Sequence, residues 1–174
     1  MPERRLAKTR NLDRYGSDAL PWSRAHDQLS SNIPDQNSVT YLNTTNPDGR
    51  PHSVGIGAVW HDGDMYFTSN LETRKSRNLA QNPYATITMR LQGLDLVLEG
   101  KATLVRDPET LEALAAVYRK GGWPAEVQGD ALTAPYSAPS AGPPPWHLYR
   151  LVIDTAYGVA TAEPYGATRW DFAA

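Results

Sequence analysis

Turn signals set the frame of this sequence. "NPDG" (Asn46–Gly49), Asp62-Gly63 and the turn in "LQGLD" (Leu91–Asp95) each sit between short runs rich in β-branched and aromatic residues. An Asp-Gly pair takes the positive φ angles of a two-residue hairpin, and Pro-Asp-Gly makes a tight reversal. Strands joined this closely must be antiparallel, because a parallel crossover needs a dozen residues or more. The runs are "VTYLNTT" (39–45), "RPHSVGIGAVW" (50–60), "MYFTS" (65–69), "YATITMR" (84–90), "LVLEGKATLVR" (96–106), "HLYRLVID" (147–154) and "AYGVATA" (156–162). "LPWSRAHDQLSS" (20–31) reads as a short amphipathic helix with Trp22 and Leu29 as apolar anchors. Six or seven strands with two or three short helices predict a mainly β (α+β) protein, a small antiparallel barrel or sandwich.

Two further helices differ in how they treat the helix dipole. "DPETLEALAAVYRKGG" (107–122) obeys it: Asp107 caps, Pro108 opens, Glu109 and Glu112 sit early, Arg119 and Lys120 sit late, and Gly121 supplies a left-handed stop. Its apolar face is Leu111, Leu114, Ala115 and Tyr118. The helix in "TSNLETRKSRNLAQNP" (68–83), capped by Thr73, instead loads Arg74, Lys75 and Arg77 onto its positive end. Two readings follow from the charges alone. The turn is solvated, at a cost of roughly a few tenths of a kcal/mol, or it holds an anion such as a phosphate.

Composition narrows the classes. The chain has 174 residues, 40% hydrophobic and 21% charged, which suits a single domain. Residues 1–19 read as a polar, loosely held extension, 20–174 as the domain, and the Pro/Ser/Ala-rich stretch 134–145 as an exposed loop. A net charge of −2 argues against a dedicated nucleic-acid binder, so the basic turn is a local site. With no cysteine there is no disulfide, thiolate metal site or cysteine nucleophile. No apolar leader or membrane-length run is present, so the expected location is cytoplasmic and away from membranes. The four histidines have no metal-ligand spacing, and no Ser-His-Asp order or paired carboxylates assign a catalytic residue. Gly55 and Gly57 mark either a bulge or barrel bend, or a place where a flat ligand meets bare backbone.

Taken in order, "PDGRPHSVGIGAVW", the Asp-Gly hairpin, "MYFTSN", "TRKSRNLAQNP", "LVLEGKATLVRDP" and the terminal "TRWDF" resemble the pyridoxamine 5'-phosphate oxidase-like proteins. The likeness runs from about Leu20 to Phe172. It implies a six- to seven-stranded antiparallel split β-barrel of the FMN-binding type. It also implies an oxidoreductase passing a hydride between bound FMN, or the deazaflavin coenzyme F-420, and a small organic substrate. A non-enzymatic flavin or haem binder on the same fold is the alternative. By position, the resemblance makes Arg74, Lys75 and Arg77 the phosphate grip, with Thr68, Ser69 and Ser76 as neutral donors. His52, Ser53 and Val54 would lie along the flavin ring, although for His52 the residues alone suggest only a surface histidine beside a turn. Arg169 and Trp170 would bring a cation and an aromatic wall, often to the pocket of the other subunit of a homodimer; otherwise Trp170 and Phe172 fasten the tail to the barrel. The Arg-Leu-His element that true pyridoxamine phosphate oxidases carry near this end is absent, which argues against that vitamin B6 reaction.

Overall fold

The computed structural model describes residues 5–31 and 39–173. The predicted hairpins form, and the described residues hold eleven strands and three helices. They are β1 (Leu6–Asn11), α1 (Ser23–Ser31), β2 (Thr40–Thr45), β3 (Pro51–Ile56), β4 (Val59–His61), β5 (Asp64–Ser69), α2 (Arg74–Gln81), β6 (Tyr84–Leu91) and β7 (Leu94–Val105). Then come α3 (Pro108–Lys120), β8 (Glu126–Gln128), β9 (Ala131–Thr133), β10 (His147–Ala160) and β11 (Ala167–Phe172). Asp62 (φ 47°) and Gly63 (φ 80°) both take positive φ between β4 and β5, the two-residue turn their sequence calls for.

Nine strands make one antiparallel sheet in the order β1-β11-β10-β7-β6-β2-β3, with β5 joining β10 and β4 lying outside β5. The sheet curls without closing, and the fold is a split β-barrel. β10 is its spine. His147–Leu151 lies between β5 and β7, and Thr155–Val159 lies between β7 and β11. The register of β10 against β7 slips between Ile153 and Thr155. Gly100 makes the close approach possible, since a Cβ there would stand 2.0 Å from the Val152 carbonyl oxygen.

Alternation along β10 divides the core in two. Tyr149, Leu151 and Ile153 point into the barrel with Leu42, Phe67, Ile87, Leu98 and Trp170. Leu148 points the other way, joining Val59 and Tyr66 beneath the Leu111, Leu114, Ala115 and Tyr118 face of α3. Each leucine so buried contributes about 1.5–3 kcal/mol relative to exposure. Asp64, fully buried at the start of β5, accepts from the Ile153 amide at 2.9 Å and from Arg150 Nε at 2.7 Å, which locks β5 to β10.

Several expectations are corrected. The amino-terminal extension is not all loose: β1 pairs with β11, although every β1 side chain is exposed and so leaves no apolar pattern to read. The runs at 147–154 and 156–162 are one strand. The run at 50–60 is two strands, broken at Gly57-Ala58. Gly121 is not the left-handed stop; it has φ −80°, and Gly122 takes that role at φ 97°. Residues 126–133, which carry no strong pattern, form the β8–β9 hairpin.

Candidate active site cleft

Where α2 begins, the end of β5 runs into a polar turn. Ser69 is buried, and its hydroxyl lies 2.8 Å from Thr73 Oγ1. Thr73 holds the N-cap position of α2, yet its hydroxyl donates to the Asn70 carbonyl at 2.8 Å and makes no cap bond. The helix start therefore keeps its positive end without a side-chain acceptor. Ser76 is buried and donates inward to Ser69 Oγ at 2.8 Å, so it braces Ser69 instead of facing a ligand, as was expected of it.

The three cations of this turn are not equivalent. Arg74 and Arg77 are exposed, and Arg74 reaches Asn46 Oδ1 only at 3.5 Å. Lys75 is half-buried, and burial holds its ammonium below the ordinary lysine range. Among the described residues Lys75 has no hydrogen-bond or ion-pair partner. Desolvating a cation without compensation is unfavourable, and a bound anion would supply that compensation.

Lys75, Thr68 and Ser69 line a cleft of about 610 Å³, within the ~300–1,000 Å³ range of small-molecule sites. Facing them is Gly55-Ile56-Gly57 at the end of β3. A Cβ added at either glycine would meet nothing within 4 Å, so packing does not demand glycine here. What the glycines do is leave backbone bare on the cleft. Tyr118 from α3 donates to the Gly57 carbonyl at 3.1 Å and fixes that edge; burial pushes its phenol far above the ordinary tyrosine range.

Opposite lies a wall that sequence reading left as a plain exposed loop. Tyr136, Ser137, Ala138, Ser140 and Ala141 of the 134–145 stretch line the cleft beside Trp123 and Trp146. Asn70 Nδ2 donates to the Pro143 carbonyl at 2.8 Å, tying this loop to the turn before α2. The loop's carbonyls take the indole N–H groups, and such non-local bonds leave no local signature in sequence.

The other expected residues lie elsewhere. Ser53 donates to Asn43 Oδ1 at 2.6 Å on the β2–β3 pair, Val54 packs against the barrel core, and His52 is half-buried opposite Thr44. None of the three lines the cleft, which begins one residue further along β3 at Gly55. Arg169 donates to Asp171 Oδ1 at 2.7 Å and lies over the Tyr157 ring, away from the basic turn. Trp170 is wholly buried between Trp22 and Gly158, and its indole N–H donates to the Leu20 carbonyl at 3.1 Å. Within this chain it has no free face for a cofactor and instead fastens β11 to the barrel.

Among the described residues no cluster of His, Cys, Asp and Glu suits a metal ion, and no helix is long and apolar enough to cross a membrane.

Known proteins align with this architecture. The family model for pyridoxamine 5'-phosphate oxidase matches residues 25–160. A pyridoxine/pyridoxamine 5'-phosphate oxidase of Paraburkholderia phymatum is 31% identical over 145 residues, which is 72% of this chain and 68% of that protein. A pyridoxamine 5'-phosphate oxidase-related, FMN-binding protein from Nostoc punctiforme superposes with a TM-score of 0.56 at 20% identity, covering 87% of this chain and 89% of that one. An F420 reductase superposes at 0.50 with 19% identity, over 71% and 92% of the two chains. At such identities the structural likeness establishes a shared fold, and the sequence match establishes kinship. The chain belongs to the pyridoxamine 5'-phosphate oxidase family.

Proposed function

We propose that this protein is an oxidoreductase that binds FMN in the cleft and acts on a small organic molecule. The observation that carries the reading is Lys75, a half-buried ammonium without a partner among the described residues, beside the uncapped start of α2. A phosphate answers both features at once. It offsets the desolvated cation and accepts from hydroxyl and amide donors. Thr68 and Lys75 hold it from the cleft side, Ser69 is kept in place by Ser76 and Thr73, and Arg74 and Arg77 add charge from solvent.

FMN, when bound, supplies the hydride chemistry. The chain's part is to bind, orient and exclude water. The bare edge at Gly55–Gly57 lets a flat ring approach, Tyr118 holds that edge, and the aromatic wall opposite keeps water out. Arg169 is left to a site shared with a second copy, and sedimentation tests this: a monomer that still binds FMN tightly excludes it.

Mass spectrometry of the ligand released on denaturing the purified protein tests the reading. FMN is the expected mass. A deazaflavin moves the assignment to the F-420 reading on the same grip, and a haem or a ligand without phosphate overturns it.

A further inference from the structure

The aromatic lining of the cleft has a chemistry of its own. Trp123 and Trp146 lie 5.8 Å apart between ring centroids, and Tyr118 meets Trp123 edge-on at 5.1 Å. Tyr136 is exposed beside them. Each polar tip of this group is already used. Trp123 Nε1 donates to the Tyr136 carbonyl at 2.7 Å, and Trp146 Nε1 to the Ala141 carbonyl at 3.3 Å. Tyr136 Oη donates to the Gly122 carbonyl at 3.3 Å. What remains for a ligand is the ring surface of half-buried Trp123 and exposed Tyr136, since Tyr118 and Trp146 are themselves buried.

Charge selects in the same direction. Among the described residues Lys75 is the one charged side chain lining the cleft, and the preceding reading assigns it to a cofactor phosphate. A charged second ligand would find no counter-ion against the aromatic rings among the described residues and would lose its hydration there. A planar uncharged ring loses little and gains stacking contact. The hydroxyls of Ser137 and Ser140 sit on the same wall and suit a neutral acceptor at the edge of such a ring.

We propose that Trp123 and Tyr136, with buried Trp146 packed against Trp123, form a subsite for a planar, uncharged aromatic substrate, with Tyr136–Ala141 as the segment that sets its selectivity. The proposal rests on the flavin reading only for the occupation of Lys75. The indole and phenol bonds that remove its donors also pin the loop to the Gly122–Trp123 turn after α3 and to Trp146.

The test is calorimetric titration of FMN-saturated protein with naphthalene-2-carboxamide and with its saturated decahydro analogue. The planar amide is expected to bind about tenfold more tightly than the saturated one, a preference that stacking supplies. Tyr136→Ala should remove most of that preference, and Tyr136→Phe should restore it. Equal affinity for the two amides, an unaffected Tyr136→Ala protein, or displacement of the amide by FMN would each overturn the subsite. If FMN does not bind at all, the titration is made on the protein alone. A planar preference that depends on Tyr136 then upholds the subsite and removes only the flavin reading, and its absence removes both.

Discussion

Lys75→Met keeps most of the aliphatic stem of Lys75 and deletes the charge. This ammonium is half-buried, lines the cleft and has no partner among the described residues, whereas Arg74 and Arg77 stand in solvent on the same turn. Its loss should therefore remove a charged hydrogen bond made in a sheltered place, worth about 1.5–3 kcal/mol. That is roughly a 10- to 150-fold rise in the FMN dissociation constant. Arg77→Ala removes an exposed, screened charge, worth about 0.2–1 kcal/mol, and should cost no more than about fivefold. Quenching of FMN fluorescence on titration with protein measures both. Stability of the free protein should move the opposite way. Burial lowers the Lys75 pKa in the fold below its ordinary 10.5. Between that lowered value and 10.5 the unfolded chain holds the proton more strongly, so the folded state gains stability as pH rises through the window. Lys75→Met should flatten that rise and should not lower the thermal midpoint of the free protein at neutral pH. An FMN affinity within twofold of wild type, or a larger loss from Arg77→Ala than from Lys75→Met, would refute the reasoning.

Three perturbations probe the frame. Asp64→Ala strands Arg150 and the Ile153 amide inside the β5–β10 seam and should cost about 3–5 kcal/mol in chemical denaturation, the range for breaking a buried ion pair. Gly158→Ala would place a Cβ 2.5 Å from Trp170 Cη2, and this overpacking should cost about 1–3 kcal/mol, read as a lowered denaturation midpoint. His147 is nearly buried with Nδ1 unpartnered; burial first, and the Arg106 charge second, hold its pKa below 6.5. Asp130, 3.6 Å from Nε2, would raise that pKa, but Arg106 already pairs with this carboxylate, so the lowering prevails. Stability should thus fall as pH drops below 6.5 toward the lowered value, and His147→Phe should remove that part of the pH dependence of thermal unfolding.

Local signals were legible and long-range ones were not. Asp62-Gly63 announces its hairpin because positive φ is a property of two residues. Asp107, bonded to the Thr110 amide at 2.8 Å, announces its helix for a similar reason. The basic turn was legible as an electrostatic anomaly, but its hierarchy was not. Only packing shows that Lys75 is sheltered while its two neighbours are exposed. β1 escaped because an edge strand with both faces in solvent carries no alternation to read. Trp170 was expected at a cofactor because the terminal "TRWDF" resembles a family segment that reaches the flavin pocket, with fastening of the tail as the alternative. The alternation of β11, with Thr168 and Trp170 inward, marks it as a core residue instead. The aromatic wall was least legible, since its order comes from bonds between indoles and loop carbonyls that no local pattern encodes.

The central claim is that the start of α2 and Lys75 hold a phosphate, and riboflavin is FMN without that phosphate. Titrating wild-type and Lys75→Met proteins with both ligands isolates the phosphate contribution. The wild type should prefer FMN by roughly 30-fold or more, as several charged hydrogen bonds require. In Lys75→Met the preference should shrink to roughly a few fold, with riboflavin affinity unchanged. A wild-type protein that binds riboflavin as tightly as FMN would contradict the account.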